Sequence, residues 1–277
     1  MGADRIAALP MYDFPELRDA HDTFWGALAK RLDAAGLTEV PHQLTRNLNH
    51  LDVWRHPALL FAQGCEYPLA KSFADRVRVV ATPMYDAAGC VGSRYRSAIV
   101  VRAGEPGLTL AAFRGRRCVV NEMDSNSGMN LLRATVAPLA SGAQFFESVT
   151  VSGSHRASVE MLASGRADLA AVDCVSYAHF GRLYPSVVRA LRVLAWTPDS
   201  PALPFITGRS ARPAGAGDEA TVQALRSALA EVFDDDGLAP ARERLLLKGV
   251  DLQPVEGFGE VLGLEREAMD AGYPALW

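Results

Sequence analysis

The sequence predicts an α/β fold organised as two lobes. Short apolar runs of strand length alternate with stretches of helical periodicity along the chain. The chain has 277 residues, near the limit for a single hydrophobic core. Its composition, 49% hydrophobic and 22% charged, is that of an ordinary globular protein. The alternation also predicts largely parallel sheets, because a helical crossover returns the next strand in the same direction.

The elements follow in order. "RIAALPMY", residues 5 to 12, reads as a first buried strand. "DFPELRDAHDTFWGALAKRLDAAG" reads as a helix, with Leu17, Phe24, Leu28 and Leu32 near helical spacing and Gly36 as its stop. "EVPHQLT" reads as a short strand, and "ALLFAQG" as an apolar strand that ends at Gly64. "VRVVATPMY" and "SAIVVRAG" are two further strands. "LTLAAFRGRRCVVNEMDSNSGMNLLRATVAPLA" reads as a short helix, a basic turn, a strand, a hydroxyl-rich loop and a helix. "FFESVTVSGSHRASVEMLASGRADLAAVDCVSYAHF" repeats that grammar: strand 148–151, small-residue loop, helix stopped by Gly165, strand. "ALRVLAWTPDSPALPFITGRS" gives strand, proline-rich turn and strand; "ARPAGAGD" is a surface loop, and residues 219–277 read as mainly helical.

Net charge is −4, so there is no basic footprint for nucleic acid or an anionic membrane. No apolar run approaches the roughly 18 residues of a membrane span. No basic segment with a following apolar stretch precedes Arg5, which leaves two readings of location open: cytoplasmic, or periplasmic after removal of a leader. None of the four cysteines forms a C-x-x-C pair, so no metal site is expected. Cys118 and Cys174 lie in apolar runs and read as buried free thiols. Cys65 and Cys90 lie in glycine-flanked loops and are a candidate disulfide.

Two helix starts share one chemistry: "SNSG" at 125–128 and "SGSH" at 152–155, each after a predicted strand. The first turn of a helix has unpaired N–H groups and a partial positive charge, and so attracts anions. Ligands of open α/β sheets bind at the carboxyl ends of strands. Ser125 or Ser127 could equally be a plain helix cap. His155 adds a donor that can carry charge; the alternative is a helix-start histidine facing solvent.

These segments resemble the substrate-binding proteins of phosphate, phosphite and phosphonate ABC transporters. The resemblance lies in Tyr95-Arg96-Ser97, the "LAAFRGRR" turn, the "SNSG" loop, the "SGSH" helix start, "GRADLAAVD" and the return crossing "SPALP", and covers roughly residues 5 to 210. It implies the type II periplasmic-binding-protein fold: two α/β lobes, a ligand cleft between them and two hinge strands near 93–97 and 194–200. Residues 1–94 with 193–277 would form lobe 1, and residues 95–192 lobe 2. The implied function is capture of a small oxyanion of the phosphonate, phosphate or phosphite class by a monomer without cofactor, for an ABC permease. Ser125, Asn126, Ser127, Gly128, Ser154 and His155 would grip the oxyanion, with Tyr95 at the hinge. Tyr12 and Tyr67 would contact the ligand from lobe 1, and Asp173 would match an amino group on it. Segment 51–70 departs from the family's glycine-rich loop and puts Gln63, Cys65 and Tyr67 at the expected ligand edge.

Two other readings use the same fold. One is a cytoplasmic enzyme similar to the chorismate dehydratases, and the other is a stand-alone ligand sensor. A Ser/His hydrolase is less consistent, because no G-x-S-x-G elbow occurs and Ser127 reads as a cap.

Overall fold

The computed structural model describes residues 4–209, 216–254 and 258–276. Most of the loop expected at 211–218 lies outside these residues. In chain order the strands are β1 (Ile6–Ala8), β2 (Leu59–Gln63), β3 (Val77–Tyr85), β4 (Arg94–Tyr95), β5 (Ser97–Arg102), β6 (Arg117–Val120), β7 (Ser148–Val151), β8 (Leu169–Asp173), β9 (Leu191–Trp196), β10 (Ser200–Pro201), β11 (Phe205–Gly208) and β12 (Leu247–Asp251). Contacts divide the chain into a first unit, Met1–Asp86 with Pro201–Gly257, and a second, Ala87–Ser200 with Phe258–Trp277.

The first unit is built on a sheet of order β1-β2-β11-β3-β12. The helix Arg18–Ala34 buries Phe24, Trp25, Leu28 and Leu32. Trp25 stacks on Phe61 of β2 at 5.5 Å between ring centres, and Phe24 on Phe205 of β11 at 6.3 Å. Burying each such side chain contributes about 1.5–3 kcal/mol. The indole N–H of Trp25 donates to the carbonyl of Pro41 at 2.9 Å, which holds the following segment in place. The strand expected at 39–45 does not form there: Pro41 has no N–H to give a ladder and Glu39 has φ 58°. The Thr45 N–H donates to Ala7 O at 2.7 Å.

The second unit carries a sheet of order β7-β6-β8-β5-β9. Strands β7, β6 and β8 are parallel, while β5 runs antiparallel to both β8 and β9. In the first unit only β1–β2 is parallel among the named pairs. The expectation of largely parallel sheets is therefore corrected to mixed sheets. An apolar run buried on both faces, such as β5, reads the same in either direction.

The tail also differs from the expectation. β12 interrupts its helices and pairs antiparallel with β3. Its sequence, "LKGVD", is short, charged and broken by Gly249, which hides the strand signal. The helix Gly259–Asp270 belongs to the second unit, packed against the helix Leu131–Ala140. Asn130 Nδ2 donates to Val261 O and Arg133 Nη1 to Pro274 O, both at 3.0 Å. Arg94 pairs with Asp199 at 2.5 Å and also with Glu260. The chain thus changes unit at 86/87, 200/201 and 257/258, where the sequence placed two boundaries at 94/95 and 192/193. Side-chain bonds that span more than a hundred residues hold the tail in the second unit, and no local pattern encodes them. Cys65 and Cys90, the candidate disulfide, are both free thiols, and Cys90 instead faces Cys174 with the sulfurs 3.4 Å apart.

Asp168, in the turn before β8, is nearly inaccessible and accepts from Arg117 Nε and Nη2 and from Arg102 Nη2, each at 2.9 Å. The Arg117 hydrogen bonds, followed by that of Arg102, hold its carboxyl well below the usual carboxylate range. Such a group contributes stability above its unfolded pKa of 3.8 and loses it as pH falls further. Asp168→Asn should cost about 1.5–3 kcal/mol at neutral pH. Urea denaturation should show the gap between variant and wild type shrinking below about pH 4.

Candidate functional site

Strands β6 and β7 lie side by side in parallel, with Arg117 opposite Ser148 and Val120 opposite Val151. The ladder continues past both: Ser152 N–H donates to Val120 O at 2.9 Å and Gly153 N–H to Asn121 O at 2.8 Å. The loops leaving these carboxyl ends are thereby held together, and each opens a helix. The first begins with a π-helical turn, Asn126–Asn130, that runs into Leu131–Ala140; the second is His155–Ala163.

The two serines of the first loop have different jobs. Ser125 Oγ accepts from the Gly128 N–H at 3.0 Å and is the cap. Ser127 is not a cap. Its Oγ lies 2.8 Å from His155 Nε2 and 3.3 Å from Ser125 Oγ. The Asn130 N–H reaches back to Ser125 O at 3.0 Å, which gives the turn its wide π geometry. Asn126 is fully buried; its Nδ2 donates to the Tyr95 hydroxyl at 3.1 Å and to Ser200 Oγ at 3.0 Å, while its Oδ1 accepts from Asn130 Nδ2 at 3.0 Å. Ser97 Oγ donates to Ser127 O at 2.9 Å.

His155 is half-buried, and desolvation pushes its pKa down to about 4, which favours the neutral ring at physiological pH. Its Nδ1 is sealed from solvent and has no hydrogen-bond partner among the described residues. Asp173 is buried and opposite Ser97 in the β5–β8 ladder, and its Oδ1 accepts from the Ser176 N–H at 2.8 Å, capping the helix Cys174–Leu183. Ser154 is exposed and caps the second helix by accepting from the Ala157 N–H at 3.1 Å. Tyr95, Ser125, Asn126, Ser127, Gly128 and His155 therefore share one connected network. Asp173 lies one strand away from it, through Ser97.

Tyr12 and Tyr67 belong to the first unit. Tyr12 packs edge-on against Tyr85 at 5.5 Å, and the Tyr85 hydroxyl accepts from Gln63 Nε2 at 2.8 Å. Tyr67 is buried in the helix Glu66–Ser72, with the Lys71 ammonium 5.7 Å from its ring centre; Cys65 stands just before that helix. Sequence reading gave no site role to Asn121, Ser97 or Asn130. Asn121 carried a usable signal, as the first polar residue after the apolar run of β6.

The Ser125 hydroxyl and the His155 imidazole nitrogen, one from each helix start, both meet Ser127 Oγ. That arrangement suits an oxyanion, which accepts hydrogen bonds and favours the positive end of a helix dipole. Among the described residues no group of three or more histidine, cysteine or acidic side chains is placed to hold a metal ion, and no helix is long and apolar enough to cross a membrane.

Gly128 is dictated by a neighbour. A Cβ there would lie 1.8 Å from Asn121 Oδ1, a buried atom with no hydrogen-bond partner among the described residues. Gly128→Ala should displace the Asn121 amide and cost about 1–3 kcal/mol. Adding Asn121→Ala should recover part of that loss, since it removes the clashing atom. Thermal melts of the two single variants and the double variant measure the coupling.

Known structures reproduce the fold. A binding-protein component of an ABC phosphonate transporter from Pseudomonas aeruginosa matches with TM-score 0.74 and 12% identity, covering 97% of this chain and 88% of that one. PhnD1 from Prochlorococcus marinus, in complex with methylphosphonate, matches with TM-score 0.72 and 15% identity over 95% and 97%. XAC2383 from Xanthomonas citri, bound to ATP, matches with TM-score 0.67 and 14% identity over 97% and 98%. At these identities the likeness shows the fold, that of the periplasmic binding proteins. Comparison with curated protein sequences gives no match. The family model for the periplasmic substrate-binding protein of phosphonate ABC transporters matches residues 58–260, well over half of the chain. With both helix starts inside the matched region, the chain belongs to the phosphonate substrate-binding protein family of ABC transporters.

Proposed function

We propose that this protein captures a phosphonate-class oxyanion on the second unit, at the Ser125–Gly128 and Ser154–His155 helix starts, and delivers it to an ABC permease from the periplasm. The observation that carries this reading is the 2.8 Å contact between Ser127 Oγ and His155 Nε2. It joins the two helix starts through groups that can both donate to one phosphoryl oxygen. Family membership supports a small ligand and a permease partner. PhnD1, a structural relative, holds methylphosphonate. Tyr95 and Asn126 act behind the grip by fixing the helix start. Asp173 is the proposed partner of an amino group on the ligand, and Tyr12 and Tyr67 are proposed ligand contacts on the first unit. A nucleophilic role for the Ser127–His155 pair finds less support, because a hydrolytic triad needs a group at Nδ1 to orient the ring.

Ser127→Ala removes a hydrogen bond to a charged ligand without removing a cap. Calorimetry with methylphosphonate should show affinity lower by about 10- to 100-fold, the equivalent of 1.5–3 kcal/mol. The melting temperature should change little. Ser125→Ala should instead lower stability by about 1 kcal/mol, since that serine is the cap. Unchanged methylphosphonate affinity in Ser127→Ala would remove it from the grip.

The pH dependence has a definite sign. Desolvation holds the His155 pKa at about 4. A bound anion favours the charged ring and raises that value. His155 then makes affinity rise as pH falls from the bound-state pKa toward the free value, after which the gain levels off. Titrations between about pH 5 and 8 with methanesulfonate, whose charge is constant there, separate this effect from protonation of the ligand. His155→Gln should flatten the profile. If methanesulfonate does not bind, methylphosphonate titrations of both proteins give the same comparison by difference.

A further inference from the structure

Cys90 and Cys174 play no part in the grip described above, yet their sulfurs are 3.4 Å apart within the second unit. Cys90 is partly exposed, and Cys174 is buried at the first position of the helix Cys174–Leu183. The backbone fixes both. Cys90 N–H closes a turn onto Ala87 O at 3.0 Å, and Cys174 N–H donates to Arg96 O at 3.2 Å. Gly89, at φ +100°, lies so close to this helix start that a Cβ on it would stand 2.6 Å from Trp196 Cζ3 and 3.1 Å from Cys174 Cβ. The loop is thus seated flat on Trp196 and Cys174, and glycine is needed for that seat. An S–S bond is about 2.0 Å long, so the sulfurs have only about 1.4 Å to close.

We propose that Cys90 and Cys174 are a redox modification site, forming an intramolecular disulfide by exchange with a small-molecule disulfide of the oxidised-glutathione type. The Cys90 thiolate, on the accessible side, attacks one glutathione sulfur. The glutathione S–S bond breaks, and one glutathione leaves as thiolate. Cys174, once deprotonated, attacks the Cys90 sulfur of the mixed disulfide and expels the second glutathione. The two protein thiols lose two protons and two electrons in all, and the oxidised glutathione takes them up to leave as two thiols. The hydrogen bond to Cys90 and burial both raise the Cys174 pKa, so the second exchange sets the rate and speeds up with rising pH. The bond would clamp the 87–90 loop onto the helix that Asp173 caps. Cys118, buried in β6, and Cys65, in the first unit, stay reduced.

The test uses the folded full-length protein with oxidised glutathione, followed by intact mass spectrometry and peptide mapping without reduction. The expected result is loss of two hydrogen masses, one cross-linked peptide pair carrying Cys90 and Cys174, and two titratable thiols left of the four. Cys90→Ser should show no two-hydrogen loss. A stable glutathione adduct on Cys90, four thiols remaining after treatment, or a cross-link that includes Cys65 would overturn the proposal.

Discussion

The second unit depends on one buried asparagine. Asn126 has no solvent access, so each hydrogen bond its amide fails to make would cost about 1–3 kcal/mol. It resolves this by donating to Tyr95 and Ser200 and accepting from Asn130. Asn130 in turn donates to Val261 O and accepts from Arg133 Nη2 at 2.7 Å. Residues from four distant parts of the chain thereby converge on a single helix start. Polar networks of this kind are worth most when every member is satisfied. Moving any of these partners would leave a buried polar group unpaired, which restrains the helix start.

Such restraint suits the proposed site. Donors held in place before a ligand arrives do not lose further entropy when it binds. Ser125 caps the turn, which frees Ser127 to face His155. Gly128 fits only because it lacks a side chain, with Asn121 above it. Desolvation keeps the histidine neutral. An anion bound beside the ring would favour its charged form.

Much of this was legible in the sequence, for identifiable reasons. Residues 125–128 and 152–155 were legible as helix starts because small hydroxyl and glycine residues follow an apolar run there, and the structure opens a helix at each. Gly36 and Gly165 marked helix ends and both have positive φ, at 85° and 75°. Phe24, Leu28 and Leu32, read at helical spacing, are buried together. Other features were not legible because they are long-range. Strand direction leaves no trace in a run buried on both faces, so β5 and β11 read as well in the wrong orientation. Local spacing could not divide the cap from the histidine partner between Ser125 and Ser127, since either could accept from an amide two or three residues on. Cys90 pairs across 84 positions with Cys174, and only the fold brings them together.

The central claim is that the second unit's two helix starts hold the ligand's oxyanion through Ser127 and His155. A crystal structure of the protein with methylphosphonate tests it most directly. The account predicts phosphonate oxygens within hydrogen-bond distance of Ser127 Oγ and His155 Nε2, at the amino end of the 126–140 helix. Methylphosphonate bound elsewhere, with the 2.8 Å Ser127–His155 contact intact and unoccupied by ligand, would contradict it.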